Sequence, residues 1–196
     1  MSTATNAVVE LQDVHKTYRL GSHTIAALQG VNLRVERGEL LALTGPSGSG
    51  KTRAGAEWVR AVATANPDAR IALIAASLGE ARSVMVEGES GLLATSPRNR
   101  RPRFEASLRR VTWPNGAQAT LYSAAEPDSL RGPQHSHAWC DEIAKWDNSA
   151  SRAENAWNNL LLGLRLGEEP RALATTTPRS VPLLQRLLAE EDAVIT

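Results

Sequence analysis

One octet constrains this chain more than any other: Gly45-Pro46-Ser47-Gly48-Ser49-Gly50-Lys51-Thr52. A glycine, four residues and then Gly-Lys-Thr is the pattern of a loop that wraps a phosphate group. The pattern carries meaning only between a strand and a helix. That context is present, because Leu40-Leu41-Ala42-Leu43 precedes it and a helix-like run, Ala54 to Ala65, follows. Glycines let backbone N–H groups crowd around phosphate oxygens, and a helix that begins at the loop aims its positive end at them. The spacing predicts a nucleotide held by Gly45 to Thr52, with Lys51 reaching the β- and γ-phosphates and the Thr52 hydroxyl ligating Mg²⁺. ATP and Mg²⁺ are the expected cofactors. A plain Gly/Ser-rich turn is the alternative, and the strand–loop–helix context argues against it.

The bulk numbers set bounds and name no partner. A length of 196 residues makes one domain the default, with room for a core. A net charge of +1 points to no class of partner. Cys140 is the only cysteine, so no disulfide framework forms within the chain, which suits a reducing compartment. Residues 1–10 show no positive n-region of a secretory signal. No window approaches the ~20 apolar residues of a membrane span, so any membrane role would run through a partner.

Residues 8–44 read as β: Val8 to Leu11, Thr24 to Leu28, Val31 to Glu36, and Glu39 to Thr44 feeding the loop, with Gly21, Gly30 and Gly38 as punctuation. After Thr52 the pattern alternates α and β. Ala54 to Ala65 reads as a helix and Ile71 to Ala75 as a buried parallel strand. Leu78 to Val86 reads as helix, and Val111 to Ser123 as a hairpin around Asn115-Gly116. His137 to Cys140 is a short strand, Arg152 to Leu164 a helix, Arg171 to Thr175 a strand and Val181 to Glu190 a helix. Strands alternating with helices imply an α/β fold with a mainly parallel central sheet flanked by helices, plus an N-terminal antiparallel β-region.

A nucleotide site also needs an acidic residue at the end of an apolar strand. Asp141 fits as the Mg²⁺ ligand, and Glu142 beside it could polarise the attacking water; His135 and His137 interrupt the run before them, and a solvated helix start is the competing reading that the upstream loop argues against. Arg171 to Thr175 is an apolar strand that runs into Thr176, Thr177 and Pro178, and Thr175, Thr176 and Thr177 suit a hydroxyl sensor beside the γ-phosphate. A Thr-rich turn with Thr177 as a helix N-cap is the competing reading. Arg131 lies in a turn-like segment and could neutralise transition-state charge, against the plainer reading of a surface arginine. Tyr18 could stack on adenine or simply edge a strand. Arg98, Arg100, Arg101, Arg103, Arg109 and Arg110 form a basic cluster that reads as a phosphate-backbone contact or a solvated loop. Trp139 and Cys140 read as core, and the four histidines have no metal-ligand spacing.

Two resemblances meet in this chain. Val9 to Tyr18, Ala27 to Leu33, Gly38-Glu39 and the loop resemble the start of an ABC transporter ATPase of the lipoprotein-release or macrolide-export kind. By that resemblance Tyr18 stacks on adenine and the partner is a membrane transporter subunit. The chain has no Leu-Ser-Gly-Gly-Gln-type signature and no histidine after Asp141, so that family's later motifs are missing.

Residues 51–196 resemble the large terminase subunit of tailed phages and gene-transfer agents. The matching stretches are Gly50 to Arg60, Val84 to Leu92, Ser129 to Gln134, Trp139 to Glu142 and Ala174 to Pro178. This resemblance implies a P-loop ATPase motor that pumps double-stranded DNA into a procapsid, with portal, procapsid and neighbouring copies of itself as partners, in the bacterial host cytoplasm. It makes Asp141 the Mg²⁺ aspartate, Glu142 the catalytic glutamate, Thr175 to Thr177 the coupling motif, and Arg131 a finger acting on a neighbouring subunit. The family usually has an arginine early in the loop, where this chain has Pro46 and Ser47. The chain therefore reads as one P-loop domain, a chimera of an ABC-like β-region (7–44), the loop (45–52) and a terminase-like core (53–196), ending before any nuclease domain. The P-loop class inserts a strand between the loop strand and the acidic strand, a place Arg171 to Thr175 could fill.

Overall fold

The computed structural model describes residues 7–20, 23–36, 40–46, 48–189 and 193–195. The segment before the loop forms two long strands, β1 (Ala7–Leu20) and β2 (His23–Glu36), paired antiparallel. The sequence reading divided this stretch into shorter strands, with Gly30 as a stop. Gly30 instead sits inside β2 at φ 64°, across from the β1 stretch that holds Asp13 at φ 48°, and the pairing register shifts on either side of Val14. The irregularity is tied locally, since Asp13 N–H donates to Asn32 Oδ1 and Asn32 Nδ2 to the Gly30 carbonyl. Glycine at a positive φ lets a strand bulge without ending. Gly21 and Gly38 lie outside the described residues.

The remaining elements alternate as expected. They are β3 (Leu40–Thr44), α1 (Lys51–Ala65), β4 (Arg70–Ala75), α2 (Leu78–Glu80), α3 (Leu92–Thr95), β5 (Arg103–Glu105), β6 (Arg110–Thr112), β7 (Gln118–Ser123), β8 (His137–Cys140), α4 (Arg152–Gly163), β9 (Arg171–Thr176), α5 (Pro182–Leu188) and β10 (Ala193–Ile195). The predicted helix over 78–86 is only partly α: after α2 the chain continues as a π-helix, Ala81–Val86. β5 and β10 were not foreseen.

Among the described residues, the second sheet has the order β10-β3-β9-β8-β4-β7-β6-β5. It is parallel from β10 to β7, and β7, β6 and β5 pair antiparallel. Gly116, at φ 102°, makes the Asn-Gly hairpin between β6 and β7, with its N–H on the Trp113 carbonyl. β4 shows why the sheet is covered twice. Ile71 and Leu73 face a core with Val59 and Ala63 of α1, whereas Ala72 and Ile74 face a core with Trp157 and Leu160 of α4 and Leu183 and Leu187 of α5. Continuous apolar character is what a parallel strand buried on both faces requires. Among the described residues no helix is long and apolar enough to cross a membrane.

Candidate functional site

β9 lies between β3 and β8, so three parallel strands end side by side. Thr44 pairs with Thr176, and Cys140 with Ala174. The loop leaves β3, Asp141 and Glu142 leave β8, and Thr175 to Thr177 close β9. The carboxyl edge of such a sheet is where ligands of this fold class bind.

The loop is built for close approach. Gly48 and Gly50 take φ 84° and 91°, and a Cβ added to either would meet nothing within 4 Å. Gly50 N-caps α1, whose first residue is Lys51. Lys51 is 6% exposed, and its Nζ donates to the carbonyls of Gly45 at 2.7 Å and Pro46 at 2.9 Å. The same ammonium lies 3.7 Å from Glu142 Oε1. Thr52 is half-buried, and its hydroxyl carries no hydrogen bond among the described residues. Ser49 Oγ is buried without a partner among the described residues. Ser47 lies outside the described residues.

Asp141 is buried, and its Oδ1 accepts from the Thr175 hydroxyl at 2.7 Å. Burial pushes the Asp141 carboxyl above its ordinary value, opposed by the Thr175 hydrogen bond and reinforced by the charge of Glu142. Glu142 takes a left-handed backbone, φ 46°, which turns it out of line with β8. Its Oε2 accepts from Thr177 N–H at 3.2 Å and its Oε1 from the Thr177 hydroxyl at 3.1 Å. Thr176 braces the backbone beyond, its Oγ1 accepting from Ala144 N–H at 3.1 Å. Trp146 Nε1 donates to the Asp141 carbonyl.

The structure thus brings together Lys51, Asp141, Glu142, Thr175 and Thr177. It does not bring Arg131 to them within this chain. Arg131 is exposed, 3.7 Å from Asp128, and lines a cleft of about 160 Å³ with Pro133, Asn159, Leu162 and Arg165. Tyr18 lies in β1, and its side chain falls outside the described residues. In the basic cluster, Arg103 and Arg110 pair with Glu105, while Arg98, Arg100, Arg101 and Arg109 are exposed around the β5–β6 edge. Sequence reasoning missed one participant. Trp139, read as core, is fully buried but also donates from Nε1 to Thr175 Oγ1 at 3.2 Å.

The donors present fit a hard divalent ion bound with phosphate. The Asp141 carboxylate and the Thr52 hydroxyl are oxygen ligands, and Asp141 Oδ2 has no hydrogen bond among the described residues. No group of three or more His, Cys, Asp or Glu side chains forms a metal cage among the described residues. Mg²⁺ held by one or two protein oxygens and substrate phosphates needs no such cage.

Residues 42–192 match a family model described as terminase large subunit, T4likevirus-type, N-terminal. A second likeness is short. The macrolide export ATP-binding/permease protein MacB of Chlorobium phaeobacteroides is 53% identical over 47 residues, 24% of this chain and 7% of that protein. The lipoprotein-releasing system ATP-binding protein LolD of Zymomonas mobilis is 49% identical over 47 residues, 24% of this chain and 20% of that protein. Among solved structures, the large terminase of a thermophilic bacteriophage superposes with a TM-score of 0.63 at 11% identity, over 82% of this chain and 40% of that one. The same phage protein in complex with ADP gives 0.60 at 15% identity, over 81% and 39%. The N-terminal domain of the DNA packaging ATPase of bacteriophage phi29 gives 0.59 at 18% identity, over 80% of this chain and 89% of that one. The chain spans about 40% of the thermophilic phage terminase.

Proposed function

This chain belongs to the family described as terminase large subunit, T4likevirus-type, N-terminal, and from that premise we propose that it binds ATP with Mg²⁺ and hydrolyses it to drive double-stranded DNA into a procapsid. The observation that carries the proposal is the approach of Lys51 Nζ to Glu142 Oε1, 3.7 Å, across the strand inserted between their two elements. A phosphate-binding lysine and a carboxylate able to order water face one spot from opposite sides. The ADP complex of the thermophilic phage terminase supports nucleotide as the ligand.

Each residue then has a task. The loop N–H groups and Lys51 hold the phosphates, and Lys51 must first leave the Gly45 and Pro46 carbonyls. Asp141 and Thr52 would hold Mg²⁺, which would supply charge neutralisation on the phosphates. Glu142 orients the attacking water and takes its proton, with Thr177 fixing both carboxylate oxygens. Thr175 and Thr177 link the two carboxylates to β9, a route by which turnover reaches the rest of the sheet. Arg131 acts on a neighbouring copy, which suits its exposed position. Portal, procapsid and other copies of the chain are the remaining partners, in the cytoplasm of a bacterial host, and residues 1–196 work as one P-loop domain.

The test is ATP hydrolysis, followed as phosphate release with and without duplex DNA. DNA should raise turnover, and Glu142→Gln should abolish it while nucleotide binding persists. Turnover indifferent to DNA sinks the motor reading. A second reading, favoured by the 53% identity to an ABC protein over 47 residues, is a chain that binds nucleotide without a working cycle. It predicts Lys51-dependent binding with negligible turnover in every condition.

A further inference from the structure

We infer that Trp139 is a positioning residue for Asp141, acting through the Thr175 hydroxyl. The inference rests on the reading of Asp141 as the carboxylate on the Mg²⁺ side. The indole N–H of Trp139 meets Thr175 Oγ1 at 3.2 Å, and that oxygen lies 2.7 Å from Asp141 Oδ1 and 3.3 Å from the Cys140 carbonyl. A hydroxyl has one hydrogen to give. An N–H arriving at Oγ1 occupies a lone pair and turns that hydrogen away from the indole. Of the two acceptors left, the nearer and charged one wins. Asp141 Oδ1 is therefore tied down, and Oδ2 is left toward the cation side.

Two observations separate this contact from incidental core packing. The indoles of Trp113 and Trp157 are also buried, yet their Nε1 atoms have no partner among the described residues, so this fold does not pair every buried indole N–H. The indole also has a slot cut for it. Gly55, one turn beyond Lys51 on α1, would place an added Cβ 2.1 Å from Trp139 Cε2. Only a residue without a side chain lets the ring lie between α1 and Thr175. A line of contacts thus runs from the helix that carries Lys51, through Trp139 and Thr175, to Asp141. Without the indole N–H, Thr175 Oγ1 loses the donor that polarises it, and its own hydrogen bond to Asp141 Oδ1 weakens.

Trp139→Phe removes the N–H and keeps an aromatic ring. Binding of a fluorescent ATP analogue is measured first in EDTA, then as a function of Mg²⁺. Trp139→Phe should leave affinity in EDTA unchanged and raise the half-saturating Mg²⁺ roughly three- to tenfold, the worth of one hydrogen bond. Thr175→Val should act in the same direction, and the double variant should go no further than Thr175→Val alone. A half-saturating Mg²⁺ unchanged in Trp139→Phe, or single effects that multiply in the double variant, overturns the inference. Should Trp139→Phe not fold, the unmodified protein still answers. The ¹H–¹⁵N signal of the Trp139 indole should move when Mg²⁺ joins the nucleotide complex and not when nucleotide binds in EDTA, and a signal that ignores Mg²⁺ overturns the inference. If the unmodified protein binds no nucleotide, or binds it without response to Mg²⁺, the nucleotide-site reading itself falls.

Discussion

Thr177 grips both oxygens of Glu142, its N–H on Oε2 and its hydroxyl on Oε1. The backbone of Glu142 is left-handed, φ 46°, so the carboxylate leaves the line of β8 and meets the end of β9. One of the two contacts is a side-chain contact and can be deleted without changing shape. Thr177→Val should lower ATP turnover roughly 10- to 100-fold through misplacement of the carboxylate, with nucleotide affinity unchanged. Steady-state phosphate release beside a binding titration checks this, and wild-type turnover in the variant refutes it.

Lys51 is held by two loop carbonyls and faces Glu142. Charge-assisted hydrogen bonds contribute about 1.5–3 kcal/mol each. Lys51→Ala should therefore weaken nucleotide binding roughly 10- to 150-fold. Fluorescence titration with a labelled nucleotide measures the change, and an affinity within twofold of the parent rules out Lys51 as a phosphate ligand.

Among the described glycines, Gly55 has the tightest surroundings, set by the Trp139 ring. Gly55→Ala puts a methyl group where the indole stands, and both helix and ring are fixed in a buried core. Overpacking of this kind costs about 1–3 kcal/mol. In a chain of this size each kcal/mol lowers Tm by about 2–4 °C. Calorimetry or thermal circular dichroism checks the fall; an unchanged Tm would show that α1 and β8 are more loosely packed than described.

His135 is 4% exposed, edge-on to Tyr122, with Nε2 unpartnered among the described residues. Burial lowers its pKa from 6.5 to about 4, and burial with the nearby Arg171 charge lowers that of His137 to about 4. Between the two values the unfolded chain binds more protons than the folded one. Stability is thus held above the unfolded value near 6.5 and lost as pH falls toward 4. His135→Phe should recover roughly 2–4 °C of Tm at pH 4.5, about 1 kcal/mol, with little effect at pH 7.5. A variant that melts in parallel with the parent at every pH contradicts this assignment.

Much of the site was legible because its parts are local. The glycine pattern ending in Lys51-Thr52 declares itself within a few residues, and it lends meaning to Asp141-Glu142, whose preceding run is interrupted by His135 and His137. The hairpin followed from Asn115-Gly116, and the insertion of β9 between β3 and β8 followed from the class of fold. The rest depended on partners far away in the chain. β5 and β10 are three residues long and exist only because a neighbouring strand offers hydrogen bonds, so no periodicity announces them. Gly30 read as a stop because a glycine that ends a strand and one that bulges it look alike in sequence. Trp139 read as filler because which buried indole N–H finds an oxygen is decided by what lies beneath it. For Arg131 the plainer sequence reading, a surface arginine in a turn-like segment, is where the structure puts it within this chain; only its neighbour Asp128 came from the structure.

The insertion of β9 also sets a timetable. Leu41 finds its strand partner in Leu173, and Thr44 in Thr176. The loop leaves a ribosome long before residues 171–176, yet the strand that carries it has its neighbour on this side only after they have emerged. Pairings that close so long a stretch are slow to form. A nascent chain stalled before β9 would hold the whole glycine loop and lack the bridge to Asp141 and Glu142. Completion of the candidate site is thus withheld until the acidic strand and its threonine neighbour have both emerged.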